Sequence, residues 1–269
     1  MSVNEIPRAG KSYEEAHPYD LLPPRTASGL EEAMSRALGV AETVKAFIPG
    51  YRWTLYALGS LGYGGYVPGW SDIDLDVIVS DPGELDLAKL SSEITEASNE
   101  LNSDEIDVKL FDLDALIERN RSIDYGIANR VVMLLDSAKL LHGPDIRSRL
   151  PRPTHMELHD EARNIAEALT GKSDEWWNTR PVDDLAAIIA LPARLYYTTA
   201  VGKVTSKQQA LSYFLKSDAA GTYPPEAWTW ATWAYLARFT ADARKPPMSG
   251  LPMLRSAARS GLEWILRSL

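Results

Sequence analysis

Three aspartates carried on alternating apolar stretches are the residues of this sequence best placed to do chemistry. Asp72 and Asp74 belong to SDIDLDVIVS, where Ile73, Leu75, Val77 and Val79 fall on one side of an extended chain and the acidic residues on the other. Asp107 alternates in the same way within EIDVKLF, opposite Ile106, Val108 and Leu110. If these stretches are neighbouring strands, the three carboxylates can meet on one face. Like charges a few ångströms apart resist joint ionisation, so such a cluster calls for a cation. The chain has no cysteine, and oxygen ligands suit Mg2+, which leans on one or two carboxylates together with a substrate's own phosphates. Gly59-Ser60 supplies the complementary half: glycine lets the backbone approach a phosphate, and the hydroxyl adds a donor. Together these residues point to metal-assisted phosphoryl chemistry.

The elements that must position them follow from periodicity. Ser28 and Glu31 have capping-box spacing, and Leu30, Met34, Leu38, Ala41 and Phe47 repeat at helical intervals up to Pro49-Gly50. WTLYAL, from Trp53 to Leu58, reads as a strand running into Gly59-Ser60, followed by a glycine-rich loop and the acidic strand. Leu87, Leu90, Ile94, Ala97 and Leu101 predict a second helix before the Asp107 strand. Beyond Asp112 no strand is expected, and helical patterns run to Leu269 with breaks near Pro151-Arg152-Pro153, Gly171, Gly202 and Pro246-Pro247. LLHGPDI is expected to close the first domain. The expected fold class is an α/β domain with a mixed sheet over residues 1–150, its first 25 residues an irregular arm, followed by an all-α helical bundle over 151–269.

Composition narrows the partners. Hydrophobic residues at 45% and charged residues at 24% are globular proportions, so disorder is not expected. No apolar run reaches membrane-spanning length, and the opening residues lack the order of a signal peptide, which predicts a soluble, cytoplasmic protein with no membrane partner. A formal charge of −9 argues against nucleic acid, whose affinity comes largely from Lys and Arg, and suits a cationic small molecule.

Gly59-Ser60, the following glycine-rich loop, Ser71-Asp72-Ile73-Asp74 and the later Asp107 together resemble the G-S … D-x-D signature of the polymerase-β-like nucleotidyltransferases. The stretch from Leu191 to Ala210 resembles the streptomycin/spectinomycin adenylyltransferases, which are two-domain proteins of about this length. The resemblance implies transfer of AMP from ATP to a hydroxyl of an aminoglycoside- or aminocyclitol-like acceptor, with release of pyrophosphate and antibiotic resistance as the outcome. It implies that Asp72 and Asp74 bind Mg2+, with two ions in the site. Gly59, Ser60 and Ser71 would lie along the triphosphate, and Arg194, Lys207 and Tyr235 would reach ATP. Asp107 takes the place of the family's catalytic base. The adenylyltransferases carry Glu there, whereas Asp is common in the wider superfamily as a metal ligand, so both roles stay open. Asp184 matches a carboxylate that contacts the cationic drug, and Pro192, just ahead of Arg194, is expected to kink its helix.

Two other readings stay beside this one: the same transfer onto a different small-molecule acceptor, and a non-catalytic binding protein on the same scaffold. The intact D-x-D pair, Gly-Ser turn and third carboxylate speak against the latter. Asp76, where the related enzymes have an apolar residue, is read as structural or supporting. His155 and His159 have i,i+4 spacing but lack a third metal ligand. Trp228, Trp230 and Trp233 are read as core, and Tyr63 and Tyr66 as loop surface.

Overall fold

The two acidic stretches are neighbouring strands. In the computed structural model, which describes residues 27–63, 66, 71–100, 106–118, 126–237 and 250–269, β1 (Arg52–Ala57), β2 (Ile73–Ser80), β3 (Ile106–Asp112) and β4 (Lys139–His142) form one sheet in the order β3-β2-β1-β4. β2 is antiparallel to β1 and parallel to β3, so the sheet is mixed. β4 corrects the expectation that no strand follows Asp112: KLLH, overlapping the stretch expected only to close the domain, pairs with β1 at the sheet edge. Four residues half turned to solvent leave too short an alternation to stand out in sequence. The arm over 1–25, Leu101 and Pro246-Pro247 lie outside the described residues.

Helices cover both sides of the sheet. On one side Leu55, Ala57, Ile73, Leu75, Val77, Val79, Ile106, Val108 and Leu110 share a core with α1 (Ala27–Phe47) and α3 (Leu87–Glu100). The short α2 (Gly59–Tyr63) adds Leu61, and Tyr66 is buried in this core, not on the loop surface. α1 presents Ala33, Ala37, Val40 and Val44 inward. Leu38 and Phe47 share its helical spacing but are exposed. Small residues let α1 lie close, so its buried stripe is narrower than its apolar pattern. On the other side Tyr56, Leu58, Ile78 and Phe111 pack with α4 (Leu113–Glu118) and α5 (Ile127–Asp136).

The outer edge of β3 is occupied by side chains. Ser91, Thr95 and Asn99 form an i, i+4, i+8 stripe on α3. Ser91 Oγ accepts from Leu110 N at 2.8 Å, and Thr95 Oγ1 accepts from Val108 N at 2.9 Å and donates to Val108 O at 3.2 Å. Asn99 Oδ1 accepts from Ile106 N at 2.7 Å while its amide donates to Ile106 O at 2.9 Å.

A clasp follows β4. Gly143 has φ +81°, and a Cβ there would meet Trp53 O at 2.4 Å, so only glycine fits this return. Thr54 Oγ1 then donates to Pro144 O at 2.9 Å, and the Tyr56 hydroxyl donates to Asp145 Oδ1 while accepting from Ile146 N, both at 2.9 Å. Burial pushes the Tyr56 hydroxyl up to about 12. The Arg147 guanidinium, bonded to Asp145, holds that carboxyl well below the usual range. A lowered carboxyl contributes stability above its unfolded pKa of about 4 and loses it as the pH falls further. Tyr56→Phe leaves the Ile146 N–H buried without an acceptor, and the expected cost is about 1–3 kcal/mol in urea denaturation.

These elements make up a compact unit over residues 25–154; another contains residues 155–269. Its described elements are all helical: α6 (His155–Thr170), α7 (Asp174–Thr179), α8 (Val182–Ile189), α9 (Leu191–Val201), α10 (Lys207–Lys216), α11 (Pro225–Ala237) and α12 (Leu251–Ser268), with a 3-10 turn (Asp218–Thr222) between α10 and α11. Pro192 does not kink a continuous helix. α8 ends at Ile189 and Pro192 sits in the first turn of α9, where its missing N–H costs nothing. Phe214, Tyr223 and Trp264 form an aromatic cluster with centroids 4.9 to 5.3 Å apart, and Trp228 and Trp233 are buried. No described helix is long and apolar enough to cross a membrane.

Candidate active site

Parallel pairing of β2 with β3 sets Asp74 directly opposite Asp107, and Asp76 opposite Lys109. Asp74 is half-buried, whereas the Asp107 side chain is 47% exposed and Lys109 Nζ lies 3.9 Å from its Oδ2. Asp72 immediately precedes β2 and is exposed, with the half-buried Ser71 before it. The sheet thus brings Asp74 and Asp107 together as cross-strand neighbours. Among the described residues no three His, Asp or Glu side chains gather closely enough to hold a metal ion by themselves.

The Gly-Ser turn presses on this pair. Leu58 N donates to Asp74 O at 3.0 Å, which ties the end of β1 to the start of β2. Gly59 follows with φ +53°, and a Cβ there would stand 2.0 Å from Asp74 Oδ2. Both the backbone angle and the carboxylate therefore require glycine. Ser60 Oγ is buried and has no hydrogen-bond partner among the described residues. Burying a hydroxyl in that state costs free energy that a bound acceptor would recover.

Behind Asp74 lies an ion pair that sequence reasoning missed. Asp76 is 1% exposed, and its Oδ1 accepts from Arg130 Nη1 of α5 at 2.5 Å. The Arg130 guanidinium also lies 4.9 Å above the Phe111 ring. Burial pushes the Asp76 carboxyl up to about 6; Arg130 opposes the rise, and the charges of Asp74 and Asp107 add to it. Arg130 is three residues from Ile127 and four from Leu134, both buried. A lone arginine on the apolar stripe of a helix is the signal that could have revealed it.

The remaining candidates belong to the helical unit. Arg194, on α9, is half-buried, and its guanidinium forms no hydrogen bond or ion pair with the described residues. Lys207 opens α10 just after its N-cap Ser206. Tyr235 lies on α11, and its side chain is outside the described atoms. Asp184, on α8, receives a hydrogen bond from Arg180 Nη1 at 3.3 Å, and the same guanidinium lies 4.7 Å above the Trp176 ring. The carboxylate expected to meet a cationic acceptor therefore already faces a cation of the chain. His155 and His159 both lie on α6.

No protein-family model matches the sequence, and no curated protein matches it. Among solved structures, the chain is similar to the spectinomycin adenyltransferase AAD(9) from Enterococcus faecialis, solved with ATP and spectinomycin. The TM-score is 0.62 at 14% identity, over 87% of this chain and 99% of that one. The chain shares the fold of that spectinomycin adenyltransferase.

Proposed function

We propose that the chain transfers AMP from ATP to a hydroxyl of a small molecule, releasing pyrophosphate. What carries the proposal is the Gly59-Ser60 turn: a residue that only glycine can fill packs on Asp74, opposite Asp107, and beside it a buried hydroxyl waits for an acceptor. The donors fit Mg2+. Asp72, Asp74 and Asp107 offer carboxylate oxygens, and with no closed three-residue set the substrate's phosphates would complete the shell. When bound, the metal, as one ion or two, would offset the charge of the phosphates.

In this reading Ser60 Oγ–H donates to a phosphate oxygen, Ser71 lies on the same triphosphate, and Gly59 leaves room for its approach. The acceptor hydroxyl oxygen bonds to the α-phosphorus, the bond from that phosphorus to the bridging oxygen breaks, and pyrophosphate leaves. The exposed carboxylate of Asp107 takes the hydroxyl proton. Residues 151–269 are read as a helical bundle domain in which Arg194, Lys207 and Tyr235 bind nucleotide. Arg194, which meets no carboxylate among the described residues, supports this, since its fork suits phosphate.

For the acceptor, an aminoglycoside- or aminocyclitol-like molecule accords with the spectinomycin present in the similar structure and with the acidic composition, and the outcome would be resistance in the cytoplasm. The Arg180–Asp184 pair favours a second reading, the same transfer onto a less cationic acceptor. The test is pyrophosphate release from ATP, GTP, CTP and UTP with Mg2+, with and without streptomycin, spectinomycin and neutral polyols. The expected result is acceptor-dependent release with ATP that falls at least about a hundredfold in Asp74→Ala. Release with polyols alone moves the acceptor to the second reading. Nucleotide binding without release from any acceptor leaves a non-catalytic binding protein.

A further inference from the structure

On β3, Lys109 follows Asp107 by two residues, so both side chains leave the strand on its acidic side. The parallel register gives each a partner on β2: Asp107 lies opposite Asp74, and Lys109 opposite Asp76. Across this face the charges alternate. Arg130 Nη1 donates to the buried Asp76 at 2.5 Å, and Lys109 Nζ stands 3.9 Å from Asp107 Oδ2. Burial raises the Asp76 carboxyl, and of the two cations that oppose the rise Arg130 acts more strongly and Lys109 after it. Lys109 is therefore drawn from two directions, by a buried carboxylate and by an exposed one. An isolated exposed ion pair would count for little, but here one of the two anchors is a carboxylate that Arg130 already fixes.

The ammonium bears on what Asp107 can do. A Mg2+ bound to Asp107 Oδ2 at about 2 Å would stand no more than about 6 Å from Lys109 Nζ. Two cations at that separation repel, so this oxygen serves the ion only if Lys109 leaves its place. Asp72 and Asp74 remain, and two carboxylates with the substrate's phosphates suffice for Mg2+. The Asp107 side chain is half exposed, which a proton acceptor needs.

We propose that Lys109 is a positioning residue that keeps the Asp107 carboxylate outside the metal shell and available to the acceptor hydroxyl, whose proton it takes. The proposal rests on the nucleotidyl-transfer reading and divides its carboxylates: Asp72 and Asp74 hold the ion, and Asp107 serves as the base. Lys109 enforces the division by its charge, without touching substrate.

The experiment is a titration of the full-length protein with Mn2+ alone, the free ion being read by electron paramagnetic resonance. Lys109→Met keeps the length of a side chain that is 37% exposed and frees Asp107 to join the shell. Mn2+ should then bind at least about threefold more tightly. In Asp107→Asn the same Lys109→Met change should alter the affinity by less than about twofold, because no carboxylate is left to recruit. With Mg2+, ATP and acceptor, kcat for pyrophosphate release in Lys109→Met should fall at least about tenfold while KM for ATP changes little, and Lys109→Arg should restore most of it. Tightening that persists in Asp107→Asn would mean that Lys109 acts on the ion through charge alone, and would overturn the proposal. So would an Asp107→Asn variant that loses as much Mn2+ affinity as Asp74→Ala, since Asp107 would then be a ligand. Absence of pyrophosphate release from the wild type with every acceptor overturns the transfer reading and with it the role of Asp107 as base, whereas a failed Mn2+ comparison in an active enzyme overturns the assignment of Lys109 alone.

Discussion

Gly59→Ala is expected to lower pyrophosphate release at least about a hundredfold while the protein still folds. The added methyl would stand 2.0 Å from Asp74 Oδ2, on a backbone at φ +53°. The left-handed angle alone costs an L-residue roughly 1–2 kcal/mol. The overlap adds a displacement, because either the carboxylate or the turn must move. A misplacement of about 1 Å in a reacting group can cost on the order of a hundredfold in rate. Gly50→Ala is the control: its φ is +83°, yet nothing lies within 4 Å of the new carbon. It should lose a comparable amount from backbone strain and keep its turnover. Equal loss of activity in both variants would remove Gly59 from the site and leave it only a turn residue.

Arg130→Ala should be among the most destabilising substitutions in the sheet unit, because it takes from the buried Asp76 the guanidinium that hydrogen-bonds it. Removing one partner of a buried ion pair typically costs about 3–5 kcal/mol. The loss should depend on pH in a definite direction. The Asp76 carboxyl is raised to about 6 in the fold. A carboxyl raised by folding contributes stability that is full below its unfolded pKa of about 4 and is lost as the pH climbs through the folded value. Without Arg130 the carboxyl rises further, so the decline continues to higher pH. Urea midpoints should therefore place the variant nearest wild type at about pH 5 and furthest from it at about pH 8. Arg130→Met combined with Asp76→Leu should recover most of the loss, since a well-packed apolar pair can replace a buried ionic one. A penalty that stays constant across this range would mean that packing on Phe111, not charge, is what Arg130 supplies.

What sequence conveyed about this molecule depends on how local the signal is. The alternation of Ile73, Leu75, Val77 and Val79 and of Ile106, Val108 and Leu110 reflects the sheet face that packs on α1 and α3, and both strands lie where that pattern puts them. Asp74 and Asp107 follow, because residues of one parity share a face. β4 was hidden, since its four residues earn their strand conformation from pairing with β1 and not from their own pattern. The Arg130–Asp76 and Arg180–Asp184 pairs differ in reach. The second joins residues four apart in sequence, from the extended segment ahead of α8 to its first turn, whereas the first joins residues 54 positions apart and depends on tertiary packing. Leu38 and Phe47 fit a helix and remain outside its buried stripe, because periodicity reports a side of a helix and not how wide the contact is.

The stripe of Ser91, Thr95 and Asn99 along β3 has a consequence for how these molecules meet one another. A strand at the rim of a sheet normally offers a row of unpaired amides and carbonyls to any extended chain that drifts by, and is a starting point for aggregation. Here the outward amides of Ile106, Val108 and Leu110 are already engaged by a helix of the same chain. The strand that bears Asp107 cannot recruit a fifth strand from a neighbouring molecule without first displacing α3, so the sheet stays finite where its acidic face is presented.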